Sequence, residues 1–259
     1  MIEVKNLCHS YRKGQGEYVL QDISFSVKPG ECVCILGNNG AGKSTLISCL
    51  AHILSPQAGE ILLNGEDISR QSRVQLARQL AYVAQQNDLH HITVFDFILL
   101  GRKPHMRFTL SKEDVTICEE MIEQLDLSAL KLRYVSELSG GQRQKVFLAR
   151  ALAQGANVLL LDEPTSDLDP KNQHEMLQLI QGLAKEKNMT VLLVLHDINL
   201  ALKYCDKFLL LHKGKRYAYG DKSVINRESI RDVYDIHASI TTVLRQEILI
   251  LDEVKREDS

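Results

Sequence analysis

Gly37-Asn38-Asn39-Gly40-Ala41-Gly42-Lys43-Ser44 reads as a glycine, four residues, then Gly-Lys-Ser. An apolar run from Cys32 to Leu36 leads into it, and a helical pattern from Thr45 to Leu54 follows. Strand, glycine-rich turn and helix in that order make a phosphate-binding loop. Glycines let the backbone curl until its N–H groups converge on an anion. The helix that follows turns its positive N-terminal end to the same anion. Lys43 adds a full charge within reach of terminal phosphates, and the Ser44 hydroxyl is the expected Mg²⁺ ligand. A chance lysine in a glycine-rich turn would not carry the flanking strand and helix as well.

The loop sits in a chain of 259 residues, enough for one large domain or two small ones, and 44% apolar residues supply a sizeable core. A formal net charge of -2 gives no electrostatic footprint of a nucleic-acid binder. Six cysteines, at 8, 32, 34, 49, 118 and 205, form no disulfide framework, which favours a reducing compartment. Cys32 and Cys34 share one face of an expected buried strand, where small buried hydrophobes are a simpler reading than a metal site. No run approaches the ~20 apolar residues of a membrane span. The Met-Ile-Glu-Val-Lys start lacks a signal-peptide apolar region. The expectation is a cytoplasmic protein that touches a membrane only through a partner.

Around the loop the chain alternates between strand and helix signals. Strands are expected at Ile2 to Leu7, Tyr18 to Val27, Gly59 to Leu63 and Gln79 to Ala84. Gly14 and Gly16 supply a turn after the first, and Asn64-Gly65 supplies a tight hairpin after the third. From about 88 to 154 helical periodicity takes over, with a helix start at Ser111-Lys112-Glu113-Asp114. This stretch reads as a helical subdomain inserted into an αβ core of 1–87 and 155–259. After it come a strand from Val158, a helix from His174 to Lys185, a strand from Val191 to Leu195 and a helix from Ile198 to Tyr204. A hairpin around Gly214, a short helix from Asn226 to Asp235, small strands between Thr241 and Leu251, and a charged tail from Lys255 to Ser259 complete the chain.

Two further stretches carry chemistry. Val158-Leu159-Leu160-Leu161-Asp162-Glu163 is an aliphatic strand ending in two acids. Continuous aliphatic strands belong to parallel sheets, whose carboxyl ends are where ligands bind. Asp162 is the expected Mg²⁺ partner, directly or through a group that itself binds the ion, and Glu163 the expected base that polarises attacking water. Leu138-Ser139-Gly140-Gly141-Gln142 precedes a helix running to about Ala153. Ser139 and Gln142 have the spacing of a capping box. Two adjacent glycines cost a helix roughly 1 kcal/mol each against alanine, so a plain helix start does not call for them. Bare N–H groups at such a start form a second anion site. One nucleotide site needs only one such loop, and the economical solution is a dimer in which each chain completes the other's site.

In order and spacing these three stretches resemble the ATP-binding cassette of an ABC transporter, across essentially the whole chain. The resemblance implies an α/β phosphate-loop NTPase fold with a mostly parallel core sheet, an antiparallel β subdomain and the inserted helical subdomain. It implies ATP and Mg²⁺ as cofactors. The nucleotide would be held by Gly37, Asn38, Asn39, Gly40, Ala41, Gly42, Lys43, Ser44 and Thr45 of one chain. Ser139, Gly140, Gly141 and Gln142 of a second copy would face it. Pro164 to Asp169 resembles the dimer-contacting loop, with Asp169 at the nucleotide and Asp167 where alanine is more frequent. His196 resembles the switch histidine on the γ-phosphate, beside the catalytic Glu163 and Lys43. Gln85 resembles the glutamine that joins Ser44 and Asp162 at Mg²⁺, and Tyr11 the aromatic that stacks on adenine.

The partners implied are a second cassette, polytopic permease subunits docked on the helical subdomain and, indirectly, an extracytoplasmic binding protein, at the cytoplasmic face of the membrane. Nucleic acid is not expected. Leu99-Leu100-Gly101-Arg102-Lys103-Pro104-His105 resembles a segment of cassettes serving iron–siderophore, haem and cobalamin importers. Zinc, manganese or molybdate import is the alternative. A soluble ABC ATPase acting on DNA or ribosomes is a further one, against which stand the single cassette, short insertion and near-neutral charge. Glu163 and His196 together disfavour a non-hydrolysing module. His90 and His91 read as solvated loop histidines.

Overall fold

A computed structural model describes residues 1–11, 18–84, 91–106, 109–244 and 246–252. The expected turn at Gly14 and Gly16, Gln85, His90 and the tail from Lys255 lie outside them. In chain order, β1 (Ile2–His9) and β2 (Leu20–Val27) precede β3 (Cys32–Leu36), the phosphate loop and α1 (Lys43–Leu50). Next are β4 (Ala58–Leu63), β5 (Glu66–Asp67), α2 (Arg73–Ala77) and β6 (Leu80–Val83). Helices α3 (Val94–Leu99), α4 (Lys112–Gln124) and α5 (Gly140–Ala153) follow, then β7 (Val158–Asp162). The chain continues through α6 (Pro170–Glu186), β8 (Thr190–Val194), α7 (Ile198–Tyr204), β9 (Lys207–His212) and β10 (Lys215–Gly220). It ends with α8 (Arg227–Tyr234), β11 (Ala238–Val243) and β12 (Gln246–Leu251).

The central sheet has the order β10-β9-β3-β8-β7-β6. Every neighbouring pair from β9 to β6 is parallel, and β10 is antiparallel at the edge. All positions of β3, β7 and β8 are buried. Alternate residues serve two different cores. Cys32, Cys34, Leu36, Leu159, Leu161, Val191 and Leu193 face the helices. Val33, Ile35, Val158, Leu160, Leu192 and Val194 pack with α1 and the antiparallel strands. That double burial, at about 1.5–3 kcal/mol per aliphatic side chain, is why these strands read as unbroken apolar runs.

The antiparallel sheet β2-β1-β4-β5 covers one face. Its β4–β5 hairpin turns through Asn64 (φ 53°) and Gly65 (φ 87°), the two left-handed positions of a type I′ turn. Between β6 and β7 the described elements are helical apart from one isolated bridge, Thr93 to Tyr134. Ser111 and Asp114 close a capping box at the start of α4. The α/β class, the mostly parallel sheet, the antiparallel sheet and the helical insertion all stand as expected.

Two helix boundaries shift by four residues from the sequence reading, and strand ends shift by less. α1 ends at Leu50 rather than Leu54. α6 starts at Pro170, four residues before the expected His174, because Asp169 accepts from the Asn172 N–H and Pro170 fills the first helical position.

Candidate nucleotide site

The phosphate loop is held by close backbone approach. A side chain at Gly37 (φ 150°) would lie 2.3 Å from the Leu211 carbonyl, and one at Gly42 (φ 98°) would lie 2.7 Å from Leu20. No L side chain fits either place. The Gly37 N–H donates to the Tyr234 hydroxyl at 2.9 Å, tying the loop to α8. Gly42 caps α1 without a side-chain bond, so the first N–H groups of the helix are left to a ligand. Lys43 folds back into the loop, its Nζ donating to the carbonyls of Gly37 (2.7 Å) and Asn38 (3.0 Å). Burial lowers its pKa, while Glu163 and Asp162 pull it the other way.

Asp162 closes β7 directly opposite. Its Oδ1 accepts from the Ser44 hydroxyl at 3.3 Å. Burial raises its carboxyl pKa and outweighs the Ser44 hydrogen bond. Glu163 takes a left-handed backbone (φ 53°), which a non-glycine residue adopts at some cost, and that turn swings its side chain out of the sheet. Its Oε1 lies 2.6 Å from Nε2 of His196, which follows β8. Tyr11 is largely exposed; its hydroxyl shares a 3.0 Å hydrogen bond with Thr45 Oγ1 and its ring meets His9 edge-on. Tyr11, Val19, Lys43, Ser44, Glu163 and His196 line one cleft of about 330 Å³, which Asn39, Gly40, Gly42 and Thr45 complete.

The structure thus gathers the loop, Tyr11, Glu163 and His196 around one cavity, with Asp162 bonded to Ser44 beside it. Ser44 and Asp162 offer two adjacent oxygens, a donor set that suits Mg²⁺ when phosphates and water supply the rest. Among the described residues no group of three or more His, Cys, Asp or Glu could hold a metal unaided. All six cysteines are free, and Cys32 touches Cys205 at 3.9 Å in the core. Val19, His9 and Tyr234 escaped the sequence reading. They act through packing or one hydrogen bond, and no local pattern announces them.

Ser139, Gly140, Gly141, Gln142 and Asp169 do not line this cleft. Ser139 and Gln142 form the expected capping box, at 3.2 and 3.4 Å. The two glycines have a reason inside the chain as well. A side chain at Gly140 would stand 3.1 Å from the Asp167 carbonyl, and one at Gly141 3.1 Å from the Asn172 amide. Asn172 in turn donates to Asp169 at 2.6 Å. The start of α5 is therefore pressed against the loop that follows Glu163.

The Leu99–His105 segment caps the other end of α5. Gly101 abuts the Arg150 carbonyl, and a side chain there would be 2.2 Å from it. Arg102, buried, donates to the Ala153 carbonyl at 2.8 Å and to Asp114 at 2.9 Å. His105 Nε2 lies 2.8 Å from the Gln154 carbonyl. The carbonyls that a helix end leaves without partners are satisfied here by one short segment.

A phosphate loop ending a buried parallel strand, opposed by an acid at the end of a neighbouring strand, defines a phosphate-loop nucleotide-binding protein. The ABC transporter family model matches residues 20–166, and the chain belongs to that family. It is 45% identical over 94% of its length to an ABC transporter ATP-binding protein of Methanocaldococcus jannaschii, MJ0089, and covers 94% of that protein. It is 37% identical to the petrobactin import ATP-binding protein FpuC of Bacillus anthracis, over 93% of this chain and 89% of that one. Among solved structures, a chain of a metal-chelate type ABC transporter in an inward-facing conformation superposes with a TM-score of 0.84 at 28% identity, covering 98% of both chains. The ATP-binding cassette MJ0796, solved as a dimer bound to ADP and Pi, superposes with a TM-score of 0.76 at 29% identity, over 85% of this chain and 98% of that one.

Proposed function

We propose that the chain is the ATP-hydrolysing subunit of an ABC importer, working as a dimer at the cytoplasmic face of a membrane. The observation that carries this is the meeting of Lys43, Ser44, Glu163 and His196 in one cleft beside Asp162. ATP enters with adenine on Tyr11 and its phosphates in the loop from Gly37 to Thr45. Lys43 leaves its carbonyl partners for the terminal phosphates, where its charge offsets the negative charge that builds during transfer. Ser44, Asp162 and Gln85 would hold Mg²⁺, which when bound neutralises phosphate charge. Glu163 accepts a proton from the attacking water. His196, now bonded to Glu163, turns to the γ-phosphate.

Ser139, Gly140, Gly141, Gln142 and Asp169 act in the cleft of a second copy, which explains why they lie outside their own. Relatives solved as dimers support that arrangement. ATP favours the closed dimer, and hydrolysis removes the bias. No helix among the described residues is long and apolar enough to cross a membrane, so the motion has to be passed to permease subunits docked on the helical insert.

The cargo class is an iron–siderophore, haem or cobalamin. Relatives bear names of petrobactin, hemin and cobalamin import, at 37%, 39% and 35% identity. The Leu99–His105 segment gives this less support than its sequence suggests, since Gly101 and Arg102 point inward. The test is ATP-driven uptake by the cassette and its permease in liposomes, supplied in turn with ferric siderophore, haem, cobalamin, zinc, manganese and molybdate. Uptake of a chelate or corrinoid is expected. Uptake of a bare ion or oxyanion instead would overturn the cargo class, and ATP hydrolysis indifferent to the permease would overturn the importer.

A further inference from the structure

Arg150, in the last turn of α5, is a half-buried cation that no carboxylate among the described residues pairs with. Three other cations of the helical insert are matched, Arg102 with Asp114 at 2.9 Å, Lys131 with Glu119 at 2.6 Å and Lys145 with Glu175 at 3.7 Å. Burial alone pushes the Arg150 pKa down, with no charge nearby to oppose it. The guanidinium lies over the Phe97 ring, 5.1 Å from its centroid, and near the negative end of α5. Neither contact uses its five planar N–H donors.

Those donors border a cavity of about 170 Å³ between the end of β6 (Tyr82, Val83, Ala84) and α5 (Phe147, Arg150, Gln154). The Gln154 amide is already committed to the Ala77 and Leu80 carbonyls, and the Tyr82 hydroxyl to Ser48. Arg150 is therefore the group with donors to spare. The space is too small for a cofactor and suits one side chain. Close by, Leu100 exposes nearly half its surface beside Gly101, which abuts the Arg150 carbonyl. An unspent guanidinium in a pocket beside an exposed apolar residue is the composition of an interface anchor.

We propose that this cavity receives an acidic side chain, Asp or Glu, from a cytoplasmic segment of the permease, paired to Arg150. A guanidinium meets a carboxylate through two parallel N–H···O bonds, which fixes orientation as well as contact. The slot lies where the helical insert joins the sheet strand next to β7, so the pair would grip core and insert together. This rests on the reading of the chain as a permease-bound cassette.

The experiment uses the transporter purified with its permease, carrying Arg150→Lys, and a water-soluble carbodiimide, which joins an amine to a carboxylate only in direct contact. Peptide mass spectrometry identifies the acid. The expected result is a cross-link from the substituted position to a permease Asp or Glu. Arg150→Glu then loses co-purification, and replacing the identified acid by Lys restores it. A cross-link to an acid of the cassette itself, or none while the permease stays bound, overturns the proposal alone. Failure of the wild-type chain to co-purify with any permease overturns the importer reading together with it.

Discussion

At the level of single residues, Tyr11 shows how one side chain can serve two contacts. Its hydroxyl is bonded to Thr45 in the phosphate helix and its ring is braced by His9. The ring face is the part that adenine would use, and base stacking of this kind contributes ~1–3 kcal/mol. Tyr11→Ala is expected to weaken ATP binding about 5- to 150-fold on that scale. Tyr11→Phe keeps the face and loses only the Thr45 bond, so its affinity should stay close to wild type. Calorimetric titration with a non-hydrolysed ATP analogue separates the two. Equal losses in both variants would assign the effect to the hydroxyl and remove Tyr11 from the base site. The phosphate loop and the two acids are legible residue by residue because each stands at a strand end with a local pattern, whereas His196 has no pattern of its own and is singled out only by its place in the family series. His9 and Val19 are not legible, since their roles arise from neighbours that the fold alone supplies.

Among the elements, α5 shows most clearly what local pattern omits. Its capping box and apolar spacing announced a helix, but its two ends are set by segments far away in sequence. Gly140 and Gly141 meet the start of α6, and Gly101 and Arg102 come from the far side of α4. The sequence reading puts the start of α6 four residues late, because nothing local announces that Asp169 accepts from the Asn172 N–H and caps the helix. Gly101→Ala would drive a methyl group to within 2.2 Å of the Arg150 carbonyl. The expected cost is about 1–3 kcal/mol, the range for overpacking, read as a lower denaturation midpoint. An unchanged midpoint would mean that α3 and α5 can part freely.

The Arg102–Asp114 pair belongs to the same joint and gives it a pH signature. Hydrogen bonds from Ser111 and then Arg102 bring the Asp114 pKa from 3.8 down to about 2. A carboxyl whose folded pKa is depressed stabilises the fold above its unfolded value and loses that contribution as pH falls through the folded one. The contribution is on the order of 2 kcal/mol, present above about pH 4 and lost as pH falls through about 2. Asp114→Asn leaves Arg102 buried and unpaired, at about 3–5 kcal/mol near neutrality. Denaturant midpoints of wild type and variant should differ most at pH 7 and draw together as pH falls toward 2, where Asp114 begins to take up its proton. A gap that stays constant across that range would show that the loss is one of shape and not of charge.

For the whole molecule, the decisive relation is between two surfaces that one chain keeps apart. The cleft collects the phosphate loop, Tyr11, Glu163 and His196, while Ser139 to Gln142 begin a helix outside it. Two copies related by a twofold axis can each set that helix start over the other's cleft, and reciprocity then makes two equal sites. Glu163→Gln removes the proposed base yet keeps a hydrogen-bond partner for His196. Turnover should fall ~10²–10⁴-fold while ATP still binds. With Mg²⁺ and ATP the variant should elute from gel filtration as a dimer, whereas the wild type returns to monomer once its ATP is spent. Adding Ser139→Arg puts a bulky cation at the tip of α5. It should abolish the dimer and leave ATP binding by the single chain intact, apart from about 1 kcal/mol of stability lost with the cap. A Glu163→Gln chain that stays monomeric at saturating ATP, or a dimer untouched by Ser139→Arg, would mean that the helix tip is not what the second copy brings to the nucleotide.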